Sequence, residues 1–132
     1  MIKFSLLSAV VVTSLSATSA FAEDAQRVQN CHGTEPFWGL TLTSSKIVLA
    51  NDIGQAQTQT IVRPKVPGSA QGTSSEYVAL YQGKILEKKG SYLNIIIKNE
   101  QCSDGMSDEI YPFSVSILSG TTLLIGCCPA GK

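Results

Sequence analysis

Phe113-Ser114-Val115-Ser116-Ile117-Leu118-Ser119-Gly120-Thr121-Thr122-Leu123-Leu124-Ile125-Gly126-Cys127-Cys128 is the stretch that decides the fold. Phe113, Val115 and Ile117 alternate with Ser114, Ser116 and Leu118, the period of a strand with one buried face. Ser119-Gly120 supplies a turn and residues 121–128 return, so the segment reads as a β-hairpin. Upstream, residues 91–98 put Leu93, Ile95 and Ile97 on one face and Tyr92, Asn94 and Lys98 on the other, with Ile96 an apolar exception. Residues 76–81 and 84–89 complete a meander, with Gln82-Gly83 and Lys89-Gly90 as its tight turns.

Nearer the start, residues 37–43 place Trp38, Leu40 and Leu42 on one side of an extended chain. Residues 46–50 turn Ile47 and Leu49 inward, Asn51-Asp52-Ile53-Gly54 reads as a turn, and residues 58–62 form a strand rich in β-branched side chains. Residues 63–75, with Pro64, Pro67, Gly68 and Gly72, break the alternation and predict a long exposed loop. Residues 23–30 are polar and read as a frayed leader. Roughly eight short strands with no helical period outside the first 22 residues predict an all-β fold, a small antiparallel barrel or sandwich.

Those 22 residues have the pattern of a signal peptide: Lys3, an apolar run over residues 4–15, and the small-x-small site Ala20-Phe21-Ala22. Serines and threonines interrupt the run, which falls short of the roughly 20 residues a membrane span needs. Val28-Gln29-Asn30, ahead of the first cysteine, lacks the small residues of a lipid-attachment box. The expectation is a single β-barrel-like domain, residues 23–132, periplasmic or secreted, with no stable membrane span. Ten basic and ten acidic side chains balance over the whole chain, and loss of Lys3 leaves a net charge near −1. Nucleic acid is disfavoured as a partner and none is expected, because neutralising phosphates needs a concentrated basic surface.

All four cysteines, Cys31, Cys102, Cys127 and Cys128, lie in the exported part, which predicts disulfides. Of three pairings, joining Cys127 to its neighbour Cys128 is disfavoured, since adjacent strand residues face opposite ways. Between the other two, Cys102 with Cys127 is favoured, because the hairpin brings their segments together, leaving Cys31 with Cys128. Closing the loop from Cys102 to Cys127 stabilises by roughly 3 to 3.5 kcal/mol in the chain-entropy model.

Two polar stretches stand out from the strands, Cys31-His32-Gly33-Thr34-Glu35-Pro36-Phe37-Trp38-Gly39 and Cys102-Ser103-Asp104-Gly105-Met106-Ser107-Asp108-Glu109-Ile110-Tyr111-Pro112-Phe113. Each runs from a cysteine through acids and glycine to a proline and aromatics, as two faces of one site would. His32 is the only histidine, so a Ser-His-Asp site would have to combine it with Ser103 or Ser107 and Asp104 or Asp108. No G-x-S-x-G turn supports that, and the plainer reading of His32 is a partly exposed residue at a strand entrance. Asp104, Asp108, Glu109 and Glu35 are hard donors suited to calcium, but their spacing is not that of a calcium loop; acids capping turn amides explain them as well. Glu35 with Asp104 or Asp108 could serve glycoside hydrolysis only if held roughly 5 to 10 Å apart in a cleft, which so small a barrel hardly accommodates. Acids beside Phe37, Trp38 and Tyr111 also suit an aromatic-rimmed binding surface, although Trp38 and Phe113 could equally be core.

At these residues the chain resembles an uncharacterised family of small bacterial envelope proteins with an early G-x-E-P-F-W stretch, here residues 33–38, and a late C-S-D-G-M-S-D stretch, here residues 102–108, followed by Tyr111-Pro112-Phe113 and Gly126-Cys127. The resemblance spans nearly the whole exported part and supports joining Cys102 to Cys127. It implies a binding role in the envelope and no established activity. A looser, architectural similarity is to small periplasmic lysozyme inhibitors, which are disulfide-linked β-barrels.

The sequence therefore predicts a non-enzymatic envelope binding protein, an inhibitor or immunity protein for a cell-wall hydrolase or toxin. Glu35, Trp38, Asp104 and Asp108 are its expected contacts, the acids meeting a basic partner and Trp38 serving as buried anchor. No metal or cofactor is expected. A small-ligand or calcium-binding module is the first alternative and a weak hydrolase using paired carboxylates the second.

Overall fold

The structure is a computed structural model that describes residues 25–51, 57–68 and 78–132. The expected signal peptide, residues 1–22, the first two residues of the expected leader, the 52–54 part of the expected turn after Asn51, the 69–75 part of the expected long loop and the 76–77 start of the expected strand after it lie outside the described residues. Among the described residues ten strands form: β1 Asn30–Thr34, β2 Phe37–Leu42, β3 Lys46–Asn51, β4 Gln57–Val62, β5 Val78–Lys84, β6 Tyr92–Lys98, β7 Cys102–Ser103, β8 Ile110–Tyr111, β9 Phe113–Ser119 and β10 Thr122–Cys128. Eight of them make one antiparallel sheet in the order β4-β3-β2-β1-β10-β9-β6-β5, and β7 pairs with β8 apart from it. The sheet curls into a nearly closed barrel, so the fold is the all-β, disulfide-stapled one expected from the alternation.

Alternation fixes which side chains fill the barrel. Leu40, Leu42, Ile47, Leu49, Ile61, Leu93, Ile95, Ile97, Val115 and Ile117 are all buried. Each such aliphatic side chain contributes about 1.5–3 kcal/mol relative to exposure. The β9–β10 hairpin pairs in one continuous register, Cys128 opposite Phe113 through Thr122 opposite Ser119, and Gly120 adopts the positive φ its turn requires.

The edge strands β4 and β5 are drawn together rather than fully paired. Leu86 N–H donates to the Thr60 carbonyl (2.8 Å), and Thr60 N–H donates to Glu87 Oε2 (2.6 Å). Gly83 faces this seam, where a Cβ would stand 2.9 Å from Ile61. That explains two departures from the sequence reading. Gln82-Gly83 belongs to β5 rather than a turn, since its glycine admits Ile61. Residues 85–91 form a connection instead of a strand, with Gly90 in positive φ and the Leu86 N–H committed to the seam.

β1 is the strand the alternation hid. Its inward positions are Cys31 and Gly33, and the space above Gly33 is filled from β2 by the Trp38 ring, which also lies against Gly126 of β10. Nor is the segment before it frayed where described: Ala25 and Val28 are buried, and Leu42 N–H donates to the Gln29 carbonyl at 2.8 Å. Arg63 secures the same end. Its guanidinium donates to the carbonyls of Thr43 (2.8 Å) and Gln26 (3.0 Å) and to the buried Tyr81 hydroxyl (3.2 Å).

Candidate functional site

The two disulfides define an inside and an outside. Cys127 and Cys128 point to opposite faces of β10: Cys128 joins Cys31 inside the barrel, and Cys127 joins Cys102 on its outer wall. Cys127 is nonetheless buried, because the chain bearing Cys102 lies across it. Every cysteine is paired, an arrangement that fits an oxidising compartment.

From Cys102 the chain makes a two-rung ribbon, Cys102 opposite Tyr111 and Ser103 opposite Ile110, and the turn between them is organised by one carboxylate. Asp104 Oδ1 accepts from the backbone N–H groups of Met106 (2.9 Å) and Ser107 (3.0 Å) and from the Ser107 hydroxyl (3.3 Å). Its Oδ2 accepts from the Tyr111 hydroxyl and lies at the same 3.4 Å from His32 Nε2. The backbone N–H groups of Met106 and Ser107, helped by the side chains of His32 and Ser107 and opposed by partial burial, lower the Asp104 carboxyl to about 2. Burial and the negative charges of Glu109 and Asp104 raise the Tyr111 phenol, which therefore stays a donor; it also donates to Glu109 Oε2 at 3.2 Å. Gly105 takes the positive φ that lets the turn close under the carboxylate.

The loop is also fastened to the wall below. Thr34 of β1 donates its hydroxyl to the Asp104 carbonyl at 3.0 Å, and the His32 ring packs edge-on to Tyr111, centroids 4.9 Å apart. Thr34 pairs with Phe37 across the two-residue turn Glu35-Pro36, whose peptide bond is cis. The early and late polar stretches thus meet, as the sequence implied. Together they expose Glu35, Asp108, Glu109, Phe37 (55 %), Met106 (63 %) and Ile110 (58 %).

The expected contacts separate on this geometry. Glu35 and Asp108 are exposed and available. Asp104 is largely consumed in holding its own loop, its side chain only 9 % exposed. Trp38 must be corrected: it is 4 % exposed, its ring packed inside the barrel on Gly33 and Gly126, so it offers no surface to a partner. Phe37, Met106 and Ile110 carry the exposed apolar surface instead, and alternation could have assigned Phe37, which precedes the inward Trp38.

The same geometry limits the roles that His32, Ser107 and Asp104 could take in catalysis. His32 and the Ser107 hydroxyl both reach the Asp104 carboxylate, whereas a nucleophilic relay needs the serine on the histidine. A carboxyl lowered to about 2 is an anion at neutral pH and has no proton to give as a general acid. Among the described residues no group of three or more His, Cys, Asp or Glu side chains is placed to hold a metal ion.

Barrel and loop together define a small disulfide-stapled β-barrel with a prestructured acidic and apolar loop on its outer wall. Comparison with family models, with curated proteins and with solved structures finds no match for this chain.

Proposed function

We propose that this is a periplasmic or secreted binding protein that uses the Cys102–Tyr111 loop and the adjoining Glu35–Phe37 turn to engage a basic protein of the envelope, inhibiting a cell-wall hydrolase or neutralising a toxin as an immunity protein does. One observation carries the reading: a loop tied to the barrel by a disulfide and ordered by a five-donor carboxylate holds Met106 and Ile110 exposed beside Asp108 and Glu109. A loop already fixed in shape loses little conformational entropy on binding. Large apolar side chains held out in water beside acids suit a partner with an apolar centre and a basic rim. Resemblance to the envelope family points the same way, as do the leader pattern and the paired cysteines.

The test is capture from an envelope extract on the oxidised protein, with the Met106→Ala, Asp108→Asn, Ile110→Ala variant as control, followed by assay of each retained protein's activity with and without the binder. The reading requires a stoichiometric, salt-sensitive partner that the variant loses and whose hydrolytic or toxic activity falls on binding. Identical retention by variant and native protein removes the loop from consideration, and a partner whose activity is unaffected ends the inhibitor reading.

A further inference from the structure

A second site lies within the barrel mouth, apart from the outer loop. Because all neighbouring strands are antiparallel, β3 and β9 end where β4 and β10 begin, at the same end of the barrel. There the inward rows of four strands change character together. Ile47 and Leu49 give way to Asn51 on β3, Ile61 to Gln59 and Gln57 on β4, Ile117 to Ser119 on β9, and Leu124 to Thr122 on β10. These polar residues line a cavity of about 160 Å³ with Leu49 and Leu124 as its apolar wall. Ser119 Oγ donates to Gln59 Oε1 at 2.7 Å, which fixes the Gln59 amide in the mouth.

The lining selects its occupant. Among the described residues the lining contains amides and hydroxyls but no ionisable side chain. An ionised ligand would gain no counter-charge from these residues, and a wholly apolar one would leave the Gln57 amide and the Thr122 hydroxyl without partners. What satisfies both walls is a neutral group with hydroxyls around its edge and C–H on its face. At about 160 Å³ the space is smaller than the roughly 300 Å³ at which drug-sized sites begin and equals about five waters. It takes a single ring and not an extended chain. We propose that the mouth formed by Gln57, Gln59, Ser119 and Thr122 is a subsite for the terminal ring of an uncharged sugar. The proposal rests on the mouth alone and stands whether or not the outer loop binds a protein.

Isotope-labelled, oxidised protein titrated with glucose, N-acetylglucosamine and glucuronate, and followed by NMR, tests it. At least one of the two neutral sugars should shift the Gln57 and Gln59 side-chain amides and the Ser119 and Thr122 backbone amides saturably, while glucuronate at equal concentration does not. Gln59→Leu should weaken that binding about tenfold, and Gln57→Ala, at an exposed position that leaves the barrel intact, about threefold. No saturable shift with either neutral sugar, an equal response to glucuronate, shifts mapping elsewhere, or an unchanged affinity in Gln57→Ala would each overturn the proposal.

Discussion

The two faces of β10 are held by different physics. Inside, Cys128 and Leu124 join a core made mostly of fully buried aliphatic side chains from the neighbouring strands, and the barrel's shape follows from packing. Outside, the Cys102–Tyr111 loop buries little of its own side-chain surface and keeps its shape through one disulfide and one carboxylate. Packing energy is spread over many residues, whereas the loop's order is concentrated in two. The interior should therefore tolerate one imperfect side chain with graded loss, and the loop should lose its form when either of its two fastenings goes.

The largest effects should come from the disulfides, and they should be unequal. Cys31 and Cys128 are 97 residues apart and Cys102 and Cys127 only 25. In the chain-entropy model removing the first costs about 4.7 kcal/mol and removing the second about 3.5 kcal/mol. Denaturant unfolding of the Cys31→Ala, Cys128→Ala and Cys102→Ala, Cys127→Ala variants measures both. The second pair should in addition loosen the outer loop in the still-folded protein, seen as faster amide exchange at Met106 and Ser107. An outer pair that proves the more stabilising would break the distinction between a packed inside and a pinned outside.

Next come single changes in the packed interior. Ile117→Ala removes a fully buried side chain and should cost about 2–5 kcal/mol. Gly126→Ala is the opposite error: its Cβ would meet the Trp38 ring, at 2.7 Å from Cζ2, and the His32 carbonyl. Overpacking of that kind costs about 1–3 kcal/mol. Thermal unfolding of the two variants compares them directly, and a Gly126→Ala protein as stable as the native one would mean that β1 and Trp38 do not close the wall as described.

The same contrast explains what could be read in advance. Strands such as β6 and β9 were legible because Leu93, Ile95 and Ile97, and Phe113, Val115 and Ile117, each bring their own apolar side chain to an inward position. β1 was not, because its inward Gly33 borrows the Trp38 ring from β2, and a borrowed side chain leaves no alternation in the strand that receives it. The pairing of the cysteines was legible in two steps: adjacency ruled against a bridge between Cys127 and Cys128, and the hairpin, which brings the segments of Cys102 and Cys127 together, chose between the two pairings left. The meeting of the two polar stretches was anticipated from their likeness, but the role of Asp104 was not: a carboxylate that orders its own turn and one that meets a partner look alike in sequence. Trp38 shows the converse, an aromatic beside acids that faces inward by the parity of its strand.

Asp104 gives the pH dependence of the comparison. Its folded carboxyl, at about 2, is below the unfolded value of about 3.9, so its ionised form favours the ordered loop. That contribution is complete above pH about 4 and is lost as pH falls through about 2. The barrel interior buries no charged residue among the described ones, and the barrel's own lowered carboxylate is Glu87 at the seam, held down by its hydrogen bond from Thr60. Measured against the intrinsic exchange rate from pH 5 down to pH 2, protection should fall at Met106 and Ser107 and, at the seam, at Thr60, while Asp104→Asn should lower it at Met106 and Ser107 already at pH 5. Uniform acceleration across the strands would mean that the carboxylate supports the whole barrel and not its loop.

The smallest effect on stability should come from the side chains that the loop merely displays. Met106 and Ile110 are more than half exposed, and Asp108 makes no hydrogen bond or ion pair to the described residues. Met106→Ala, Ile110→Ala and Asp108→Asn should each leave unfolding free energy within about 0.5 kcal/mol of native, the range of surface changes that break no structural feature. Should the captured partner exist, the same changes must weaken it, the apolar pair in a salt-independent way and Asp108→Asn chiefly at low salt, because an exposed charge acts through a field that salt screens. A variant that loses stability instead would place its side chain among the loop's fastenings and leave that much less of the loop free to meet a partner.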